Sequence, residues 1–314
     1  MQHVCDIHSL QLQGCALTIG AFDGVHVGHQ ALIGAMVSDA HARDLPAVVL
    51  TFYPHPSVIL HGRSPSFYIT LPDEKAEFLG QLGVDYVVTQ QFDHALSRIP
   101  ARDFLNTLHQ QLSPKSLWIG EDFTLGRDRM GDRAFIESVS SDYSFDVNVF
   151  PAFHIEGTLV RSSAVRQALR EGDVARVARY LGRIYGLPGE VVRGVGRGRQ
   201  LGIPTANLHI QEERAYPGSG VYACAVEHAG ERWPAVTNIG VRPTFENEPA
   251  QPTIETHLLD FNGDLYQKQI RVGFVERLRA EQRFASPEDL IAQIEDDIQQ
   301  ARLILEPTLE GENV

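Results

Sequence analysis

Lysine, cysteine, methionine and tryptophan are all scarce in this chain of 314 residues. The three cysteines, Cys5, Cys15 and Cys224, follow no metal-ligand spacing and make no even-numbered disulfide framework. No uncharged apolar run reaches the length of a membrane-spanning helix, and the first residues lack the charged-then-apolar pattern of a signal peptide. The expectation is a cytosolic protein with reduced thiols and no membrane partner. The phosphate loop Gly-x-x-x-x-Gly-Lys-Ser/Thr is also absent. A net charge of −13 leaves no general basic face, which argues against nucleic acid as a partner. Only Lys75, Lys115 and Lys268 are lysines, so the remaining cations are arginines and arginine clusters carry little weight by themselves. The apolar fraction of 43% and charged fraction of 21% are those of a globular chain, long enough for two cores.

The texture of the chain changes near residues 182–188, which predicts two domains, 1–183 and 184–314. The first alternates short apolar runs (15–20, 47–52, 84–89, 116–120 and 146–151) with helical patterns at 28–42, 72–83, 101–112 and 132–140. A last helix over 162–181 closes it. Leu32, Ile33, Met36, Val37 and Ala40 form a stripe of helical period, and Thr70 with Asp73 reads as a helix start. This alternation predicts a Rossmann-like α/β domain: a mainly parallel sheet with its ligands at the strand C-terminal ends. The second domain reads as strands at 189–195, 206–210, 220–228, 232–240, 253–261 and 264–278, with Asn262-Gly263 as a hairpin signal. Closely spaced antiparallel strands favour a small closed β-barrel. A terminal helix follows, with Ser286 as cap, Pro287 at its first position, and Leu290, Ile291, Ile294, Ile298 and Ala301 as its stripe.

Two segments carry phosphate chemistry. In the first, Gly20-Ala21-Phe22-Asp23-Gly24-Val25-His26-Val27-Gly28-His29 follows a strand and opens a helix. Gly20, Gly24 and Gly28 permit tight turns and close backbone approach. Free amides at the helix start attract an anion. His26 and His29 can stabilise a departing pyrophosphate; a metal pair or two structural histidines are the other readings. In the second, a glycine-rich stretch containing Gly198, Arg199 and Gly202 runs into Pro204-Thr205-Ala206-Asn207. Its amides can close over phosphates, and the oxygens of Thr205 and Asn207 suit a magnesium ion that keeps phosphate and water ligands. A plain glycine-rich hairpin and turn is the alternative.

The first segment resembles the histidine-containing nucleotidyltransferases. Together with Thr51-Phe52-Tyr53-Pro54-His55-Pro56, Gly120-Glu121-Asp122-Phe123 and Ser162-Ser163-Ala164-Val165-Arg166, it is similar to the bacterial bifunctional riboflavin kinase/FMN adenylyltransferase family. The second half resembles the kinase module of that family through Gly220-Val221-Tyr222-Ala223, Asn238-Ile239-Gly240 and Glu255-Thr256-His257. The resemblance implies ATP-dependent phosphorylation of riboflavin to FMN, then adenylylation of FMN to FAD with release of pyrophosphate. It further implies flavin contacts at Asp122, Phe123 and Arg279, ATP-phosphate contacts at Ser162, Ser163 and Arg166, and a general base at Glu255. Leu159 stands where the family carries an arginine, and Arg161 is a candidate to supply that charge from a shifted position. Arg193 stands where histidine is usual, and Gln267 where glycine is common. A riboflavin kinase with a weakened adenylyltransferase domain, or a non-catalytic flavin or nucleotide sensor, are the alternative functions.

Overall fold

The computed structural model describes residues 1–62, 66–194, 202–241 and 252–310. The chain divides into two compact units, Met1–Ser162 and Ser163–Val314. In chain order the strands of the first are β1 (Gln2–Val4), β2 (Cys15–Ile19), β3 (Ala47–Tyr53), β4 (Tyr86–Gln91), β5 (Pro114–Gly120), β6 (Thr124–Leu125), β7 (Gly131–Asp132), β8 (Asp146–Phe150), β9 (His154–Ile155) and β10 (Thr158–Leu159). Its helices are α1 (Val27–Ala42), α2 (Pro56–His61), α3 (Pro72–Gln81), α4 (Ala101–Leu112) and α5 (Arg133–Tyr143).

Six of these strands form one sheet in the order β1-β4-β3-β2-β5-β8, and every pairing in it is parallel. The central strands β2 and β3 are apolar but for a single threonine each, Thr18 and Thr51, because both faces are covered. Leu17, Ile19, Val48 and Leu50 pack on one face with α4 and α5, through Leu105, Leu108 and Ile136. Ala16, Ala47 and Val49 pack on the other with Ile33 and Met36 of α1 and Leu79 of α3. All five residues of the α1 stripe are buried. From β2 the chain adds β3 and β4 on one side, then returns to add β5 and β8 on the other. That reversal opens a crevice at the C-terminal ends of β2 and β5, where doubly wound sheets hold their ligands.

Three local expectations are corrected. Thr70 does not cap α3: the N-cap is Leu71, with no side-chain bond, and the Thr70 hydroxyl accepts the Gly24 amide at 2.9 Å. The helix over 162–181 is two helices, α6 (Ser162–Glu171) and α7 (Val174–Leu181). Gly172 at φ 74 breaks it, and Asp173 caps α7 by accepting the Arg176 amide at 2.9 Å. The third concerns the barrel.

The second unit holds β11 (Tyr185–Val192), β12 (Ala206–His209), β13 (Gly220–His228), β14 (Glu231–Val241), β15 (Pro252–Leu258), β16 (Gln269–Arg279) and the terminal helix α8 (Pro287–Glu310). The strands close into a barrel in the order β11-β12-β15-β14-β13-β16 with antiparallel pairing throughout. Consequently β15 and β16 are not neighbours, and Asn262-Gly263 lies in a crossing loop rather than a hairpin. Ile270, Val272 and Phe274 are buried along β16. Ser286 caps α8 by accepting the Asp289 amide at 3.1 Å, and Ala301 and Leu305 of that helix pack on Val221, Ala223 and Val236. Among the described residues, no helix is long and apolar enough to cross a membrane.

Candidate functional site

The first site forms where β2 runs out. Its turn has positive φ at Phe22 (46°), Gly24 (84°) and Val25 (41°), a costly geometry for the two residues that are not glycine. Buried contacts hold it there. The Asp23 carboxylate accepts the amides of Ile69 at 3.0 Å and Thr70 at 3.1 Å, and the Asp23 carbonyl accepts the Ser162 hydroxyl at 2.8 Å. Asp23 thus acts inside the protein, anchoring the turn. Phe22 is buried against Gly20, where any Cβ would meet its ring at 2.9 Å.

The turn delivers His26 to the N-cap of α1, where Nδ1 accepts the His29 amide at 3.2 Å. The two imidazoles stack with centroids 3.5 Å apart. Burial pushes His26 down to about 4, and burial reinforced by the His26 and Lys75 charges holds His29 well below its usual value. Both rings are therefore neutral at pH 7. Nδ1 of His29 is buried and makes no hydrogen bond, an unmet polar atom at the edge of a cleft. Gly28 leaves room for this pair, since a Cβ there would press the His26 ring at 3.2 Å.

His26, Gly28 and His29 line a cleft of about 350 Å³ with Gly120, Glu121, Asp122, Leu159, Arg161 and Ser162. Arg161 and Asp122 face each other in it at 3.4 Å, both largely exposed. Ser163 and Arg166 follow on α6, the first exposed and the second buried. On the other side of Gly20 and Ala21 lies a more apolar cleft of about 560 Å³, walled by Phe52, Leu96, Ile99, Phe104 and Phe123 and edged by Arg98, Arg127 and Arg129. Its apolar, aromatic lining with a few charged groups at the edge is the chemistry of a small-molecule pocket. Phe123 is one of the residues singled out in the sequence and Phe52 lies in the Thr51–Pro56 segment, whereas Phe104 of α4 was not singled out, because its place in a helical stripe does not show which cleft it walls.

In the barrel, strand registers bring scattered residues onto one rung. Asn207 of β12 pairs with Glu255 of β15, Glu255 with Asn238 of β14, Asn238 with Val221 of β13, and Val221 with Arg279 of β16. Directly opposed residues project from the same face, so Asn207, Glu255 and Asn238 form a polar row. An irregularity between Val221 and Tyr222 makes Arg279, not Leu278, the partner of Val221, as a bulge re-aims a side chain. Arg279 is held by a two-pronged bond to the buried Asp297 of α8, at 2.8 and 2.9 Å. Asn238 stood in the Asn238-Ile239-Gly240 segment but was not singled out as a site residue; its place on this rung comes from the register alone.

Gly194, Gly202, Thr205, Ala206, Asn207 and Thr256 line a cleft of about 670 Å³, closed by the crossing loop through Asn262, Gly263 and Tyr266. The Arg193 guanidinium lies over the Tyr266 ring, 4.8 Å from its centroid. Gln267 sits in that loop at φ 59, a left-handed conformation that glycine adopts without cost. Gly198 and Arg199 lie outside the described residues. No group of three or more His, Cys, Asp or Glu side chains among the described residues is placed to hold a metal. The neutral oxygens of Thr205 and Asn207 fit a magnesium ion whose other ligands come from phosphates and water.

The family model described as FAD synthetase matches residues 8–164, and that described as riboflavin kinase matches residues 181–305. The bifunctional riboflavin kinase/FMN adenylyltransferase of Pseudomonas fluorescens is 38% identical over 311 residues, covering 98% of this chain and 99% of that protein. The chain belongs to the bifunctional riboflavin kinase/FMN adenylyltransferase family. Other members resemble it over similar lengths. That of Escherichia coli K12 is 38% identical over 96% of this chain and 97% of its own length, and that of Bacillus subtilis 34% over 91% and 90%. A crystal structure titled as a macrolide-efflux protein from Streptococcus pneumoniae shares the fold, with a TM-score of 0.88 and 28% identity over 96% of this chain and 98% of that one. The two family models thus fall one on each half of the chain.

Proposed function

We propose that this chain, a cytosolic enzyme, makes FAD from riboflavin in two ATP-dependent steps: phosphorylation of riboflavin by residues 184–314, then adenylylation of FMN by residues 1–183. The observation that carries the reading is the neutral, stacked His26/His29 pair at the start of α1, on a chain whose barrel also aligns Asn207 with Glu255.

In the kinase step, Glu255 accepts the proton of the riboflavin 5′-hydroxyl as it attacks the γ-phosphate of ATP. Thr205 and Asn207 would hold the magnesium ion, which neutralises phosphate charge when bound. Gly202, with Gly198 and Arg199 outside the described residues, is assigned to ATP-phosphate binding on the sequence pattern, and Arg279, fixed by Asp297, borders the flavin. In the second step the FMN phosphate attacks the α-phosphate of a second ATP, so no protein nucleophile takes part. The protein brings two anions together and stabilises the leaving pyrophosphate. His26 and His29 serve the leaving group, with Ser162, Ser163, Arg161 and Arg166 as further phosphate donors. Gly20, Phe22, Asp23, Gly24 and Gly28 build the turn that admits the triphosphate. The apolar cleft with Phe123, bordered by Asp122, takes the isoalloxazine.

The test is a product assay on the full chain with riboflavin, ATP and magnesium. FMN should form first, then FAD with stoichiometric pyrophosphate. Glu255→Gln should slow FMN formation roughly 10²–10⁴-fold, the usual worth of a general base, while FMN supplied directly is still converted to FAD. FMN formation without FAD would instead support a monofunctional kinase, the reading that Leu159 favours.

A further inference from the structure

Beneath the turn that follows β2 lies a buried cation for which the two steps above give no task. Lys75 of α3 is 5% exposed, beside the buried Ala76 and Leu79. Its Nζ donates to the Ala21 carbonyl at 2.9 Å and to the Thr51 hydroxyl at 2.8 Å. The Thr51 hydroxyl, fully buried, donates in turn to the same carbonyl at 2.9 Å. An ammonium taken out of water costs several kcal/mol unless partners compensate. A methionine would fill the same space on the buried face of α3 without that cost, so packing alone does not explain a lysine here.

What the lysine touches is the strained part of the first site. Ala21 is the residue before Phe22, and the turn from Phe22 to Val25 carries three positive φ values. Asp23 holds the turn from one side through the Ile69 and Thr70 amides, and Lys75 holds it from another through Ala21. The charge of Lys75 also reaches His29, whose protonation it disfavours, while Asp23 supports the ammonium form of Lys75.

We propose that Lys75 is a positioning residue for adenylyl transfer: its ammonium fixes the Ala21–Val25 turn and keeps positive charge behind the His26/His29 pair, so an incoming triphosphate meets preset donors. The inference rests on the adenylyltransferase reading above. Burial pushes the Lys75 amine down to about 8, so a cationic clamp is present at pH 7 and lost as pH rises past that value. Asp23, on the turn, and His29, on α1, are the titratable groups that face it.

The experiment measures kcat and kcat/KM for FAD formation from FMN and ATP across pH 6.5 to about 9.5, with riboflavin phosphorylation by the same chain as an internal control. The wild type should show kcat/KM for ATP falling tenfold per pH unit above about pH 8, because that ratio reports the free enzyme. Lys75→Met should lower kcat and kcat/KM together by at least about tenfold at pH 7, the mark of an interaction made in the transition state, and should lack the alkaline limb. Lys75→Arg, which keeps its charge throughout this range, should retain more activity than the methionine variant and also lack the limb. Should Lys75→Met lose FMN binding through misfolding, the arginine variant decides. The proposal is overturned by a flat wild-type profile, by Lys75→Met within twofold of wild type, or by an unchanged limb in Lys75→Arg. A wild type that forms no FAD at all would sink the adenylyltransferase reading instead.

Discussion

His26 accepts a hydrogen bond at Nδ1 from the His29 amide, which leaves the proton of the neutral ring on Nε2 as a donor. Its second neighbour, the stacked His29 ring, disfavours a second positive charge at 3.5 Å. The pair therefore presents neutral donors until a polyanion arrives. This arrangement links stability to acid. His26 has a pKa of about 4 in the folded chain against 6.5 when exposed, so the folded state binds fewer protons than the unfolded one between those values. Stability from this group is present above pH 6.5 and is lost as pH falls toward 4, by roughly 3 kcal/mol in total. His29 shifts in the same direction and adds to the loss. Chemical denaturation of the first unit at stepped pH should show this decline. His26→Asn keeps an acceptor for the His29 amide and should flatten the decline relative to wild type. An equal decline in both would remove His26 as its source.

At the scale of elements, legibility followed how local each signal is. The α1 stripe and the Ser286 cap were readable because each signal is complete within one helix, the stripe as a period and the cap as a bond to an amide three residues on. Thr70 misled for the same reason: its sequence neighbours suit a cap, but its hydroxyl serves Gly24, 46 residues away. Asn262-Gly263 carries hairpin chemistry, yet turn chemistry does not determine which strands pair, and here the loop walls a cleft. The rung from Asn207 to Arg279 depends on four registers and one irregularity, none of them visible along the chain. The motifs could nominate Asn207 and Glu255 separately; only the barrel puts them side by side. The end of β11 offers a test of this placement. Gly194 gives way to the Asn207 side chain so closely that a Cβ would stand 2.2 Å from its Nδ2. Gly194→Ala should therefore displace Asn207 and raise the magnesium concentration needed for half-maximal riboflavin phosphorylation by about tenfold, some 1.4 kcal/mol. FAD formation from supplied FMN should not change. An unaltered magnesium requirement would detach Asn207 from the metal.

For the whole molecule, the two helices between the family matches raise the question of which half they serve. The FAD synthetase match ends at residue 164 and the riboflavin kinase match begins at 181, so all but the first turn of α6 and the last residue of α7 fall between them. By chemistry α6 belongs to the first half, since Ser162 bonds the Asp23 carbonyl and Arg166 is a proposed phosphate donor. By packing both helices go with the barrel: the Gly218 amide bonds the Leu169 carbonyl at 2.8 Å, the Arg277 guanidinium bonds the Glu171 carbonyl at 3.3 Å, and Val174, Val177, Tyr180 and Leu181 are buried. Each large apolar side chain kept from water contributes roughly 1.5–3 kcal/mol. A fragment of 184–314 strips away four of them and should melt well below one of 163–314, though both contain every proposed kinase residue. The first half should respond the opposite way. A fragment of 1–183 contains Arg166, whereas 1–162 does not, so only the longer one should bind ATP tightly. Differential scanning calorimetry on the two barrel fragments and ATP titration of the other pair check both statements. Equal melting temperatures would show that α6 and α7 add nothing to the barrel, and equal ATP affinities would remove Arg166 from the nucleotide site.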